Sequence, residues 1–115
     1  MKTVIMYLLG KKGLSALKAV IDNENANIIK IIVVGHDSSI KNDYSDDIIQ
    51  LCQSNGIKYT LRRDFNPNHQ CQKQIIAIAI GWRWLINEKY KELIVFHDSL
   101  LPKYRGYNPL VTALL

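Results

Sequence analysis

The sequence is short of the features that would classify it at a glance. It carries two cysteines, Cys52 and Cys71, in neither a C-x-x-C nor a metal-ligand spacing. Two such residues argue for free thiols, with Cys52 buried on a helix, rather than for a disulfide framework or a redox pair. The three histidines, at 36, 69 and 97, are too scattered for a zinc site, and no metal is expected. No apolar run approaches the roughly 18 residues that a membrane-spanning helix needs. The opening MKTVIMYLLG has one lysine and a short apolar core, but no small-residue cleavage site follows it, so the chain reads as cytoplasmic. Repeats, low-complexity tracts and linkers are missing. So are basic blocks and RNA-binding aromatic motifs, which leaves a net charge of +5 as a weak argument for nucleic acid.

What remains is an ordinary globular composition, 48% apolar and 22% charged, over 115 residues. That is one domain, residues 1–115, long enough for a real core yet short for a complete doubly wound sheet.

Apolar runs alternate with amphipathic stretches. Lys2–Leu9 reads as a strand buried on both faces, broken by Gly10-Lys11-Lys12-Gly13 as a strand-to-helix turn. Leu14, Leu17, Val20 and Ile21 then recur at helical spacing to about Asp22. Ile28–Val34 is a second buried strand. Ser45 suits an N-cap, with Asp46 and Asp47 in the favoured first turn, and Ile48, Ile49, Leu51 and Cys52 form the buried side of a helix that Asn55-Gly56 stops. Ile57–Leu61 alternates and reads as a third strand nearer an edge. Arg62–Gln74 is about the minimum for a parallel crossover, and Pro67 leaves room for one or two helical turns. Ile75–Ile80 is the fourth strand, followed at Gly81-Trp82-Arg83-Trp84 by a helix to about Lys91. Leu93–Phe96 is the fifth. Asn108-Pro109 looks like a cap and first helical position for a helix over Leu110–Leu115. The expected fold is α/β, a doubly wound, mainly parallel, Rossmann-like sheet.

The stretch at the end of the fifth strand is the most informative. His97, Asp98 and Ser99 stand where open α/β sheets place their ligands, and Pro102, Gly106 and Pro109 restrict the loop. The run HDSLLPKYRG resembles the signature of the folate-dependent formyltransferases, the family of methionyl-tRNA, glycinamide ribonucleotide and sugar-nucleotide formyltransferases. Those proteins carry a pattern like N-x-H-x-S-L-L-P-x-x-R-G, which His97, Ser99, Leu100, Leu101, Pro102, Arg105 and Gly106 match.

The resemblance implies a sheet in the order 3-2-1-4-5, a formyltransferase-type domain, and transfer of a formyl group from N10-formyltetrahydrofolate to an amine of a small molecule, such as an amino sugar nucleotide. It implies His97 as the catalytic residue. Gly81, Trp82, Arg83, Trp84 and Leu101 would line the folate pocket, and Gly10, Lys11, Lys12, Gly13, Ser99 and Arg105 would hold the substrate. Transfer RNA stays open as the carrier of the amine. Two positions depart from the pattern. Val95 stands where the family has a catalytic asparagine, and the family's catalytic aspartate would fall beyond Leu115. The expectation is therefore an incomplete domain whose C-terminal part is missing and which could self-associate through an uncovered edge at the fifth strand.

The residue chemistry adds a further point. Lys11, Lys12, Arg62, Arg63, Arg83, Lys103 and Arg105 all follow strand carboxyl ends, a bias that suits an anionic ligand. The Gly10–Gly13 stretch is too short for G-x-G-x-x-G and lacks the Ser or Thr of a P-loop. Two other readings stand beside the enzyme. One is a catalytically inactive formyltransferase-like binding module. The other is a dinucleotide-binding domain with Asp37 on a ribose, against which the glycine spacing argues.

Overall fold

In a computed structural model, described over residues 2–66, 72–96 and 110–112, the apolar runs become one six-stranded sheet. The strands are β1 (Val4–Leu8), β2 (Ile29–Val34), β3 (Tyr59–Leu61), β4 (Ile76–Ile80), β5 (Glu92–Phe96) and β6 (Leu110–Thr112), in the spatial order β3-β2-β1-β4-β5-β6. Five are parallel, as expected. Leu8 is level with Val34 on one side and Ile80 on the other, and Ile80 is level with Phe96, so the carboxyl ends of the parallel strands form one edge.

β1 is buried throughout, and its side chains divide between two cores. Val4, Met6 and Leu8 meet Leu14 and Leu17 of α1 (Gly10–Asp22) and Ile48 and Cys52 of α2 (Ser45–Ser54). Ile5 and Tyr7 point the other way, into a cluster with Val33, Ala77, Ala79, Leu93 and Ile86. The period of two along the strand thus supplies both layers of the α/β fold. The chain is an α/β protein with a Rossmann-like arrangement.

Three expectations are corrected. Gly10-Lys11-Lys12-Gly13 is the first turn of α1 rather than a turn before it, because Gly10 enters the helix at φ +78° with its amide on the Asp43 carbonyl at 3.0 Å. Residues 82–91 form no helix; Trp82, Ile86 and Tyr90 recur at helical spacing, but they cover the second face of the sheet as an irregular segment over Tyr7 and its neighbours. Leu110–Thr112 is not the start of a helix. It runs antiparallel to β5, with Phe96 opposite Leu110 and Ile94 opposite Thr112, since the outer backbone groups of β5 gain a ladder there. The β5 edge expected to be open to other chains is therefore covered along those residues.

Smaller boundaries shift in the same spirit. The capping carboxylate of α2 is Asp43, whose Oδ1 accepts from the Ser45 amide at 3.0 Å, with Tyr44 at φ 59° between them. The crossover from β3 to β4 contains two short 3-10 turns, Arg62–Asp64 and Gln72–Gln74. Cys52 is fully buried, while Cys71 lies outside the described residues. Among the described residues, no helix is long and apolar enough to cross a membrane.

Candidate functional site

The carboxyl edge of the sheet is tied together by glycine. Gly81, at φ +71°, follows β4 so closely that a Cβ there would stand 2.3 Å from the Leu9 carbonyl oxygen. The Leu9 amide donates to the Ile80 carbonyl at 3.2 Å, and the Gly35 amide to the Leu8 carbonyl at 2.9 Å. The segments around Gly10 and Gly81 are thus brought together at the ends of β1 and β4. His97, Ser99, Leu101 and Arg105 lie outside the described residues. What is described is the strand that leads to them, with Phe96 level with Ile80 at the same edge.

Of the residues assigned to the substrate, Lys11 and Lys12 are exposed in the first turn of α1, and Gly13 is buried, its missing Cβ 3.0 Å from that of Leu8. The amides heading α1 carry the positive end of the helix dipole at this edge. Gly10 itself spends its amide on Asp43.

The segment assigned to folate is more occupied by protein than the sequence implied. Trp82 and Trp84 meet edge to face, centroids 5.0 Å apart, and both rings press on the bare Cα of Gly35. The Arg62 guanidinium lies over Trp84, 4.1 Å from the ring centroid. Arg83 is drawn into an ion pair with Asp37, whose carboxylate also accepts from the Ser39 hydroxyl at 2.6 Å and amide at 2.9 Å. Those Ser39 bonds first, then Arg83, hold the Asp37 carboxyl below its ordinary value. Two basic residues of the edge are therefore already engaged. Asp37 is likewise committed to protein partners.

Trp82 retains one open side. With Tyr7, Phe65 and Leu85 it borders a cleft of about 160 Å³, and Tyr7 stands 5.1 Å from Trp82 and 5.9 Å from Phe65 between centroids. The Tyr7 hydroxyl shares a hydrogen bond with Tyr90 and donates to Glu88 at 3.4 Å. Burial, with these neighbours, raises its pKa far above that of a free phenol, so it stays neutral and acts as a polar pin under an apolar wall. Val95 is half-buried and packs against the same apolar cluster, level with Ala79. A hydrocarbon surface thus occupies the position where the family pattern has a carboxamide.

One pair escaped the sequence analysis. His36 Nδ1 lies 2.6 Å from Asp43 Oδ2, the carboxylate being buried and the imidazole exposed. Burial pushes the Asp43 carboxyl up, but the amides of Ser45 and Asp37 and the nearby His36 outweigh it and leave the group below its ordinary value. The partners lie seven positions apart, with no periodicity to join them. The only local signal is an aspartate two residues before the first acidic turn of α2. Among the described residues, no group of three or more His, Cys, Asp or Glu could hold a metal.

No protein-family model matches the chain, and no curated protein matches it.

Proposed function

We propose that this domain is of the folate-dependent formyltransferase type and serves transfer of a formyl group to an amine of a small molecule, in the cytoplasm. The observation that carries the reading is the position of HDSLLPKYRG in the chain: it begins at the residue after β5, a strand level with β4 and one further from β1, at the ligand-bearing edge of a sheet in the order the resemblance implies.

N10-formyltetrahydrofolate supplies the formyl group when bound. Among the residues assigned to it, Trp82 faces a space that could take part of a flat ring, whereas the face of Trp84 is under Arg62. His97 would donate a hydrogen bond to the formyl oxygen as negative charge develops there, and would take up a proton released by the attacking amine. Lys11, Lys12 and Arg105 offer charge for an anionic substrate, with the amides heading α1 beside the first two.

The apolar setting of Val95 favours a second reading, a domain that binds folate without turning it over. Calorimetry with 5-formyltetrahydrofolate and a formyl-transfer assay separate the two. Binding weakened by Trp82→Ala supports the cofactor assignment, and turnover sensitive to His97→Ala in a form that contains the acidic partner supports the enzyme. No affinity for the folate would remove both.

A further inference from the structure

A cleft of about 480 Å³ opens at the carboxyl ends of β2 and β3, at the end of the sheet's carboxyl edge away from β4 and β5. Its volume is that of a small-molecule site. Leu61 on β3 and Ile49 on α2, both partly exposed, give it an apolar wall over the fully buried Val34. On one rim stand Arg62 and Arg63, on the other His36 and the first turn of α2.

The polar groups are prearranged. Asp43 holds His36 through Nδ1, so Nε2 is left as the outward nitrogen, without a hydrogen-bond partner among the described residues. Trp84 holds the Arg62 guanidinium against its ring while leaving its N–H groups without an acceptor among the described residues. Arg63 is exposed and makes only a long, solvent-exposed ion pair with its neighbour Asp64, at 4.0 Å. Opposite these cations, Asp46 is exposed at the mouth of α2. A ligand that is anionic throughout would be repelled at that wall. One with an anionic end and hydroxyl donors would satisfy both rims.

We propose that the cleft binds a phosphorylated nucleoside. Its phosphate pairs with Arg62 and Arg63, its sugar hydroxyls donate to Asp46 and to the lone pair of His36 Nε2, and its base covers Leu61 and Ile49. Charge-assisted bonds from arginine suit phosphate geometry, and a flat base suits an apolar wall beside a fixed guanidinium. Apart from Trp84, which braces Arg62 from behind, the site uses none of the residues assigned to formyl transfer, and a nucleotide titration reads it separately from folate binding.

The test is a titration of the whole 115-residue chain with adenosine monophosphate, adenosine and inorganic phosphate, followed in amide ¹H–¹⁵N spectra. The monophosphate is expected to shift the amides of His36, Ser45 and Arg63 saturably, with adenosine and phosphate each binding at least about tenfold more weakly. Arg63→Ala, an exposed change that leaves the rest of the spectrum in place, is expected to weaken the monophosphate by about tenfold, and His36→Ala to weaken it in the same direction. The proposal is overturned by shifts that do not saturate, by shifts centred on Lys11 to Gly13, by phosphate alone binding as well as the monophosphate, or by Arg63→Ala binding unchanged.

Discussion

Gly35 is fitted to Trp82: a Cβ at residue 35 would lie 2.9 Å from that ring, 2.9 Å from the Trp84 ring and 3.3 Å from Leu9 Cδ1. Three packed side chains surround the point, so none can yield without displacing another. Gly35→Ala is expected to destabilise the chain by about 1–3 kcal/mol, the usual penalty for overpacking, and to change tryptophan fluorescence in the folded state. Urea unfolding read by fluorescence checks both, and an unchanged midpoint would show that the indoles are free to move.

Gly10 and Gly81 give a sharper comparison, because both have positive φ but differ in space. At Gly10 nothing lies within 4 Å of a built Cβ, whereas at Gly81 the Leu9 carbonyl oxygen is 2.3 Å away. Gly10→Ala should cost only the left-handed backbone penalty, about 1–2 kcal/mol. Gly81→Ala adds a clash with backbone and should cost more than that, because φ strain and collision act on the same residue. Parallel denaturant melts of the two variants measure the difference.

Much of this architecture was legible and some was not, for identifiable reasons. The five parallel strands could be read because four are nearly continuous apolar runs and the third, Ile57–Leu61, alternates, each closed by glycine or polar residues. Their order came only with the family resemblance. Gly10 and Gly13 were misread as breakers, since sequence cannot reveal that Gly13 is needed where α1 approaches Leu8. WRWLI carried helical spacing, yet contacts with Tyr7 and Gly35, far away in sequence, decided its shape. The basic bias of the carboxyl edge was visible. The partners that occupy it were not: Arg83 meets Asp37 and Arg62 meets Trp84 only after the sheet brings separate loops together.

Asp43 makes stability depend on acidity in a defined direction. Its carboxyl is held below the ordinary 3.8 in the fold, so the ionised group favours the folded state. The contribution is complete above the unfolded value and disappears as pH falls through the lower, folded one. Asp43→Asn keeps the size but loses the charge that accepts the Asp37 and Ser45 amides, and should cost about 1–3 kcal/mol at neutral pH. The gap between wild type and variant should stay constant above about pH 5 and narrow below about pH 4. A gap that widens in acid would contradict this sign.

Cys52 should be inert while the chain is folded. Burial pushes its thiol up to about 11, and the side chain is fully enclosed on the core-facing side of α2. In a Cys71→Ser background, iodoacetamide at pH 8 should label the native protein far more slowly than the protein in urea, because the thiolate is both scarce and covered. Equal labelling rates would mean that α2 opens readily.

Val95 is where the family pattern and the packing disagree most directly. Restoring the pattern with Val95→Asn would introduce a carboxamide into a half-buried position beside Ala79, in a cluster otherwise built from Ile5, Tyr7, Val33, Ala77 and Leu93. A polar group without a partner there costs about 1–3 kcal/mol. Residues 1–115 contain no Asp or Glu beyond Asp98, so the substitution supplies one hydrogen-bond donor while the acid–base partner is still lacking from this stretch. Losing an oxyanion donor or an acid–base group each costs on the order of a hundredfold or more in rate. Val95→Asn is therefore expected to lower stability without producing measurable formyl transfer by residues 1–115. A thermal melt and a formyl-transfer assay on the same sample decide it. Turnover gained with no loss of stability would mean that the surroundings of residue 95 are polar enough to accept the asparagine and that a single donor was all the site needed.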